Sequence, residues 1–336
     1  MDPNTTMETI GEGAKALTKF QEIILKVFGP KFTRRQADAD AYADERKLQI
    51  IRDHPDMEIV YANGQMNARA RTPEALALRA EQRQLAESIR QEENLESVLE
   101  KAEEQLSSSE GVSDTPVDED WLTRFFGIAK DVSSEDMQFI WGKILAGEIA
   151  KPGSFSVRTL ETIRNISADE AKLFEKILPF VVSSGAARFI PADLTEFVEF
   201  GITFGNIIQL DECGLANSSG TTTIEIKAAP KEDNQYMLNA GKECLLVSNP
   251  MDIRLSANLR VYPLLRSAME LMNILNFSTN HEAFVRLSSK LHQESFSNTS
   301  MSIYEMAFDE NGQANYDSDK PLHTFCPTSI RQSGQR

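Results

Sequence analysis

The sequence predicts a mainly α protein with an α+β C-terminal part: N-terminal helices, a central helical bundle and a winged-helix-like C-terminal module. Three observations predict it. Apolar residues recur at helical spacing, between recognisable caps, through residues 118–183. A charged stretch at 74–106 alternates Glu, Gln and Arg around widely spaced leucines. After residue 190 a helix closing at Gly214 is followed by β-type runs and a further helix, the order in which a recognition helix precedes a wing. The chain then reads as an N-terminal helical region (1–106), an acidic linker (107–120), the central bundle (121–183), the winged-helix-like module (190–275) and a C-terminal extension (276–336).

Residues 1–13 are polar, and the first ten carry no signal-peptide pattern. An amphipathic helix follows at 14–28, with Leu17, Phe20, Ile24, Val27 and Phe28 on one face and Lys15, Lys19 and Lys26 on the other. Such a helix fits a membrane surface, or it docks its apolar face on the protein and leaves the lysines in water. Gly29-Pro30 ends it. An alanine-rich, charged helix is expected at 34–52, broken by His54-Pro55. Thr72-Pro73 starts the next helix, since proline suits a first turn. Its apolar positions (Leu76, Leu78, Leu85, Ile89, Leu95, Val98, Leu99 and Leu106) are only partly heptad, which suits a protruding, self-associating or surface helix. Residues 107–118 are serine-rich and acidic, a linker composition.

In the central stretch Trp121, Leu122, Phe125, Phe126 and Ile128 form one apolar stripe. Ser133 with Asp136 resembles a capping box for the next helix, whose buried set is Met137, Ile140, Trp141, Ile144, Leu145 and Ile149. Lys151-Pro152-Gly153 stops that helix. Ser154 or Ser156 caps a third, with Val157, Leu160, Ile163 and Ile166. Ser167 and Glu170 box a fourth, which buries Ala171, Phe174, Ile177 and Leu178. Trp121, Phe125, Trp141 and Phe174 are therefore expected as core anchors rather than as a ligand pocket.

The strings DEDWLTRFF, SSEDMQFIWGKILAGEI and KPGSFSVRTLETI resemble the uncharacterised bacterial family called domain of unknown function 2806. The aromatic-rich helix, LAGEI and PGSFS with RTL are also similar to abortive-infection alpha-type proteins. The opening GPKFTRRQADADAYADE looks like the same family, so the resemblance spans about residues 17–275. It implies a link to antiphage defence by association, and it carries no catalytic residue over to this chain.

Beyond the bundle, residues 191–215 form a helical segment, β-type runs fall at 221–227, 236–238, 244–248 and 253–261, and 264–275 returns to helix. A helix at 282–292 with Phe284, Leu287 and Leu291, a strand at 301–308, a turn at 309–312 and a loose polar end from 323 complete the chain. The presumptive recognition helix, 205–213, has two acids and no Lys or Arg, whereas DNA affinity comes mostly from cations on phosphates. The net charge of −16 points the same way. A protein partner or self-association is expected, nucleic acid is not, and a membrane surface is open only through residues 14–28. No apolar run approaches a membrane span, and the three cysteines are far apart and odd in number, so reduced thiols and a cytoplasmic location are expected.

Catalytic signatures are missing: no phosphate loop, no HExxH, no nucleophile elbow, no paired-cysteine motif. The best lead is Glu225-Ile226-Lys227 in a strand with Asp211 upstream, the residue types by which some nucleases hold a divalent ion and activate water. An acid-x-lysine pair is common by chance, and Asp211 belongs to a helix rather than a paired strand. The expectation is a non-enzymatic interaction protein or effector without cofactor or metal. A winged-helix regulator and a metal-dependent nuclease are the alternatives.

Overall fold

A computed structural model of the chain describes residues 3–28, 60–62, 65–67, 73–107, 111–193, 198–308 and 314–327. The helix expected at 34–52, its break at His54-Pro55 and the turn at 309–312 lie outside these residues. The chain forms two compact units, Met1–Phe155 and Ser156–Arg336.

The first unit is built on helices α1 (Pro3–Phe28), α2 (Pro73–Ser107), α3 (Glu119–Ala129) and α4 (Glu135–Ala150), with a short hairpin of β1 (Val60–Ala62) and β2 (Gln65–Asn67). The first helix starts at Pro3, eleven residues before the start expected at residue 14. α4 is apolar on nearly every side and is accordingly the central helix, with Trp141, Ile144, Leu145 and Ile149 fully buried. The C-terminal half of α2 packs on it through Val98, Leu99, Ala102 and Leu106. Residues 79–93 of α2 are mostly exposed, so apart from the buried Leu78 its thin apolar set is used mainly in the C-terminal half. α2 and α4 approach closely at Gly142, where an added Cβ would stand 2.7 Å from the Cβ of Lys101 and 3.1 Å from the backbone nitrogen of Ala102. Beside this contact, Gln138 accepts from the Ser97 hydroxyl (2.7 Å) and donates to the Val132 carbonyl (2.9 Å), while Asn94 donates to the Lys130 carbonyl (2.8 Å). That network satisfies the buried amides and fixes the turn into α4.

The second unit opens with α5 (Val157–Arg164) and α6 (Ala168–Ile177), capped by the Ser156 side chain and by the reciprocal Ser167–Glu170 box. The rest corrects the expected winged helix. Strands β3 (Val182–Ser184), β4 (Ala187–Pro191), β5 (Thr222–Ala228), β6 (Glu232–Ala240), β7 (Glu243–Asn249), β8 (Leu255–Pro263), β9 (Ser300–Phe308), β10 (Ala314–Tyr316) and β11 (His323–Phe325) join in one nine-stranded sheet. Its order is β10-β9-β7-β6-β3-β4-β8-β5, with β11 also on β9, and every pairing is antiparallel. A winged helix needs one hairpin beside its helices. Here β5 pairs with β8, not with its chain neighbour β6, and β9 from the expected extension lies inside the sheet.

The sheet bends where β3 meets β6 through the single pair Ser183↔Asn239. The link from Ala228 to Glu232 then brings β5 next to β6 in the chain, although they stand well apart in the strand order. The concave face closes on one core in which Phe189, Ile226, Leu238, Leu245, Val247, Leu259 and Ile303 meet Phe284, Leu287 and Leu291 of a helix, Arg266–Met272 (α8) being followed by this one, His281–Ser295 (α9). The convex face carries a smaller cluster of Cys244, Leu246, Tyr304 and Met306, so β7 is buried on both sides. One more helix, α7 (Phe204–Glu212), precedes β5.

Candidate functional site

Each of the candidate catalytic residues Asp211, Glu225 and Lys227 has a local partner. Lys227 pairs with Glu225 at 2.7 Å on the exposed face of β5, two residues apart and therefore on one side of the strand. Asp211 accepts from the hydroxyl of Ser218 (2.6 Å) and from its amide (3.0 Å), and these bonds hold its carboxyl below the usual carboxylate range. It thereby pins the turn that follows α7. Among the described residues, no group of three or more His, Cys, Asp or Glu could hold a metal ion.

The helix α7 itself is built for exposure on one side. Thr203 and Asn206 form a reciprocal cap, and Gly214, at φ +70°, closes the other end, where Leu215 N–H reaches the Leu210 carbonyl at 2.8 Å. Ile207 and Leu210 face the core. Phe204 (47 % exposed) and Ile208 (38 %), one turn apart, face outward. The Phe204 ring rests on Tyr262, with centroids 5.8 Å apart, which fixes it in place. Asp211 and Glu212 border this patch, and α7 contains no cation. Cys213 caps the helix, but burial and then the hydrogen bond and charge of Glu170 push its thiol up to about 12, so it is not a nucleophile at neutral pH. Sequence reasoning found this helix and its acids. It could not tell which of the isoleucines faced water.

On α1, Phe20 and Ile24 are buried, Leu17 is half-buried and Val27 is exposed; Phe28 is the last residue of the helix. The lysine face is engaged as well. Lys19 donates to the carbonyls of Ser113 (3.0 Å), Thr115 (2.7 Å) and Ile149 (2.8 Å), and burial lowers its pKa. Lys15 pairs with Asp114 at 2.6 Å, and Lys26 pairs with Glu119. The acidic segment read as a linker is thus the electrostatic partner of α1. Between them lies a groove of about 480 Å³ lined by Lys15, Lys19, Glu22, Lys26, Asp114 and Leu122.

The aromatic anchors Trp121, Phe125 and Trp141 lie in the core of the first unit, and Phe174 is buried in the second. Trp121 stacks on Phe125 (5.1 Å) and Phe125 meets Trp141 (5.3 Å). The indole N–H of Trp121 donates to the Phe155 carbonyl at 2.8 Å. Here the structure adds a residue that periodicity passed over. Glu148 is only 2 % exposed within an apolar helix, and its carboxylate accepts the amides of Gly153 (2.6 Å) and Phe155 (2.9 Å). It ties down the Pro-Gly turn, where Gly153 sits at φ +87°. A carboxylate inside the string LAGEI was the available signal. This arrangement explains the spacing LAGEI-AKPGSFS as geometry: an acid on the last helical turn folds the next seven residues back over Trp121.

No curated protein and no solved structure matches the chain. The family described as protein of unknown function (DUF2806) matches residues 78–288, which include the Trp121 cluster, the Glu148 turn, α7 and all the strands from β3 to β8. That span is well over half of the 336 residues, and the chain belongs to this family.

Proposed function

We propose that the protein is a non-enzymatic, cytosolic interaction protein that works by assembling with further copies of itself. The observation that carries this reading is the outward face of α7, where Phe204 and Ile208 stand exposed one turn apart on a firmly capped helix. Paired apolar side chains on a rigid helix are the usual anchors of helix-mediated association. The acids bordering them and the absence of cations on α7 suit a protein surface and oppose a nucleic-acid one. We connect the assembly to antiphage defence on the resemblance of residues 118–183 to abortive-infection alpha-type proteins.

Sedimentation velocity over a concentration series tests it with the wild type and a Phe204→Ser/Ile208→Ser variant. The wild type should associate reversibly and the variant should sediment as a monomer with an unchanged melting temperature. A wild type that stays monomeric throughout would overturn self-assembly. In a bacterial host, expression should reduce phage plaquing, and the same double substitution should abolish that protection. Equal plaquing with and without wild-type expression would remove the defence reading.

A further inference from the structure

At the bend of the sheet, on its convex face, lies a cavity of about 300 Å³ whose lining includes Ser183, Arg188, Asn239, Tyr236, Phe277 and Met306. Three of its polar groups come from one lateral row. Arg188 of β4 stands opposite Ser183 of β3, and Ser183 stands opposite Asn239 of β6. Residues directly opposite across a ladder project from the same face, about 4.5–5.5 Å apart. Their neighbours Val182, Phe189 and Leu238 enter the concave core, so alternation along the strands sends this row to the convex side.

All three of these side chains are unused. Among the described residues, the Arg188 guanidinium makes no hydrogen bond or ion pair, nor does the Ser183 hydroxyl make a hydrogen bond. The side-chain oxygen of Asn239 is buried without a partner. In a chain with 51 acidic residues against 35 basic ones, a half-buried arginine without a carboxylate beside it is conspicuous. A cation held out of water without a counter-charge is costly, and an unmade bond to a buried amide adds to that cost. An anion in the cavity would supply the missing counter-charge, and turning the Asn239 amide over would present its N–H to the same anion. A guanidinium fork matches the two oxygens of a carboxylate or phosphate, and a hydroxyl and an amide N–H on the same row extend the donor set.

Apart from Asn273, the remaining walls are mostly apolar. Phe277, Met272 and Val181 line it, and Tyr236 spends its hydroxyl on the Met306 sulfur at 3.2 Å. Burial pushes that phenol up to about 12, so the tyrosine stays neutral and adds no competing charge. The volume is at the lower end of the range for ligand pockets, about 300–1,000 Å³. We propose that this cavity binds a small organic anion, its carboxylate or phosphate held by Arg188 with Ser183 and Asn239, and its flat apolar body lying against Phe277, Met272 and Met306. This site is separate from α7 and does not depend on self-assembly.

Thermal melting and calorimetric titration of the full chain test it with phenylacetate, phenyl phosphate and the uncharged phenylacetamide. At least one of the two anions should raise the melting temperature in a saturable way, and the preferred one identifies the head group. Phenylacetamide should not. Arg188→Gln should weaken the preferred anion by about tenfold or more, as loss of a charge-assisted pair does. Asn239→Asp places a carboxylate in the cavity on the same row as Arg188. It should raise the melting temperature of the free protein and abolish anion binding. The proposal is overturned if neither anion stabilises the wild type, if phenylacetamide binds as well as the anions, or if Arg188→Gln keeps wild-type affinity. Should that variant fail to fold, Asn239→Asp decides alone: a lower melting temperature with anion binding retained would sink the idea.

Discussion

Trp141 is fully buried on the central helix α4, and its ring meets Phe125 at 5.3 Å. Truncating so large a side chain removes its transfer free energy and leaves a cavity, so Trp141→Ala should cost about 3–5 kcal/mol in urea denaturation. An unchanged midpoint would mean that the ring is not in a packed core. A second residue-scale test concerns charge. Burial alone would raise the carboxyl of Glu270, but it accepts from the Thr159 hydroxyl (2.5 Å), the Ser156 amide (2.7 Å) and Arg266 Nε (2.6 Å). These bonds outweigh burial and hold it below its ordinary value of 4.5. A depressed carboxylate stabilises the fold fully above its unfolded value, and that contribution is lost as pH falls through the lower, folded value. Glu270→Gln should therefore flatten the acid side of the stability-pH curve and lower stability at neutral pH. Curves that superpose below the ordinary carboxylate value would show that Glu270 carries no such linkage.

Helices were the elements best read from sequence, because their signals are local. Ser167 with Glu170, the stop at Lys151-Pro152-Gly153 and the stripe Phe284, Leu287, Leu291 all depend on residues within a few positions of one another. Where a local signal misled, a tertiary partner had intervened. Ser133 was expected to cap α4, yet the N-cap is Ser134, and the Ser133 hydroxyl instead receives the amide of Asn94 from α2 at 3.4 Å. Gly142 makes the same point as a prediction. Alanine there should gain about 1 kcal/mol of helix propensity. But its Cβ would meet the α2 backbone at 3.1 Å, and backbone cannot swing aside as a side-chain tip can. Overpacking at about 1–3 kcal/mol wins, so Gly142→Ala should lower the urea midpoint; a rise would mean that α2 yields. For α1, the burial of Phe20 and Ile24 and the three carbonyls on Lys19 support docking over lipid contact. Phe20→Asp should reduce stability by several kcal/mol, since it buries an unpaired carboxylate where a ring had packed. Unchanged melting together with loss of flotation on anionic vesicles would instead make α1 a membrane element.

At the scale of the whole molecule the sequence was least informative, and the reason is topological. The β-type runs near 221–261 were visible, but nothing local states that β5 pairs with β8 or that β7 pairs with β9 rather than closing a wing. β3 and β11, three residues each, carry too short an alternation to register at all. Helix, glycine and β-run in that order fit many folds, and long-range pairing chose among them. The same blindness hid the Arg188–Ser183–Asn239 row, whose members are brought together only by the sheet. The glycine and acids of α7 were legible, whereas the exposure of Phe204 and Ile208 was not. Among the described residues no helix is long and apolar enough to cross a membrane. The architecture makes one further prediction. Every residue of the main sheet core, from Val182 to Phe325, belongs to the second unit, and so do both ends of the Ser156–Glu270 bond that anchors the start of α5. A fragment comprising Ser156–Arg336 therefore keeps its hydrophobic core and its first helix cap intact, and such a core of sheet plus α9 is large enough to fold alone. It should show a single cooperative transition by near-ultraviolet circular dichroism and calorimetry, with dispersed amide resonances. A gradual, non-cooperative melt would show that the sheet needs Met1–Phe155 to hold its bend.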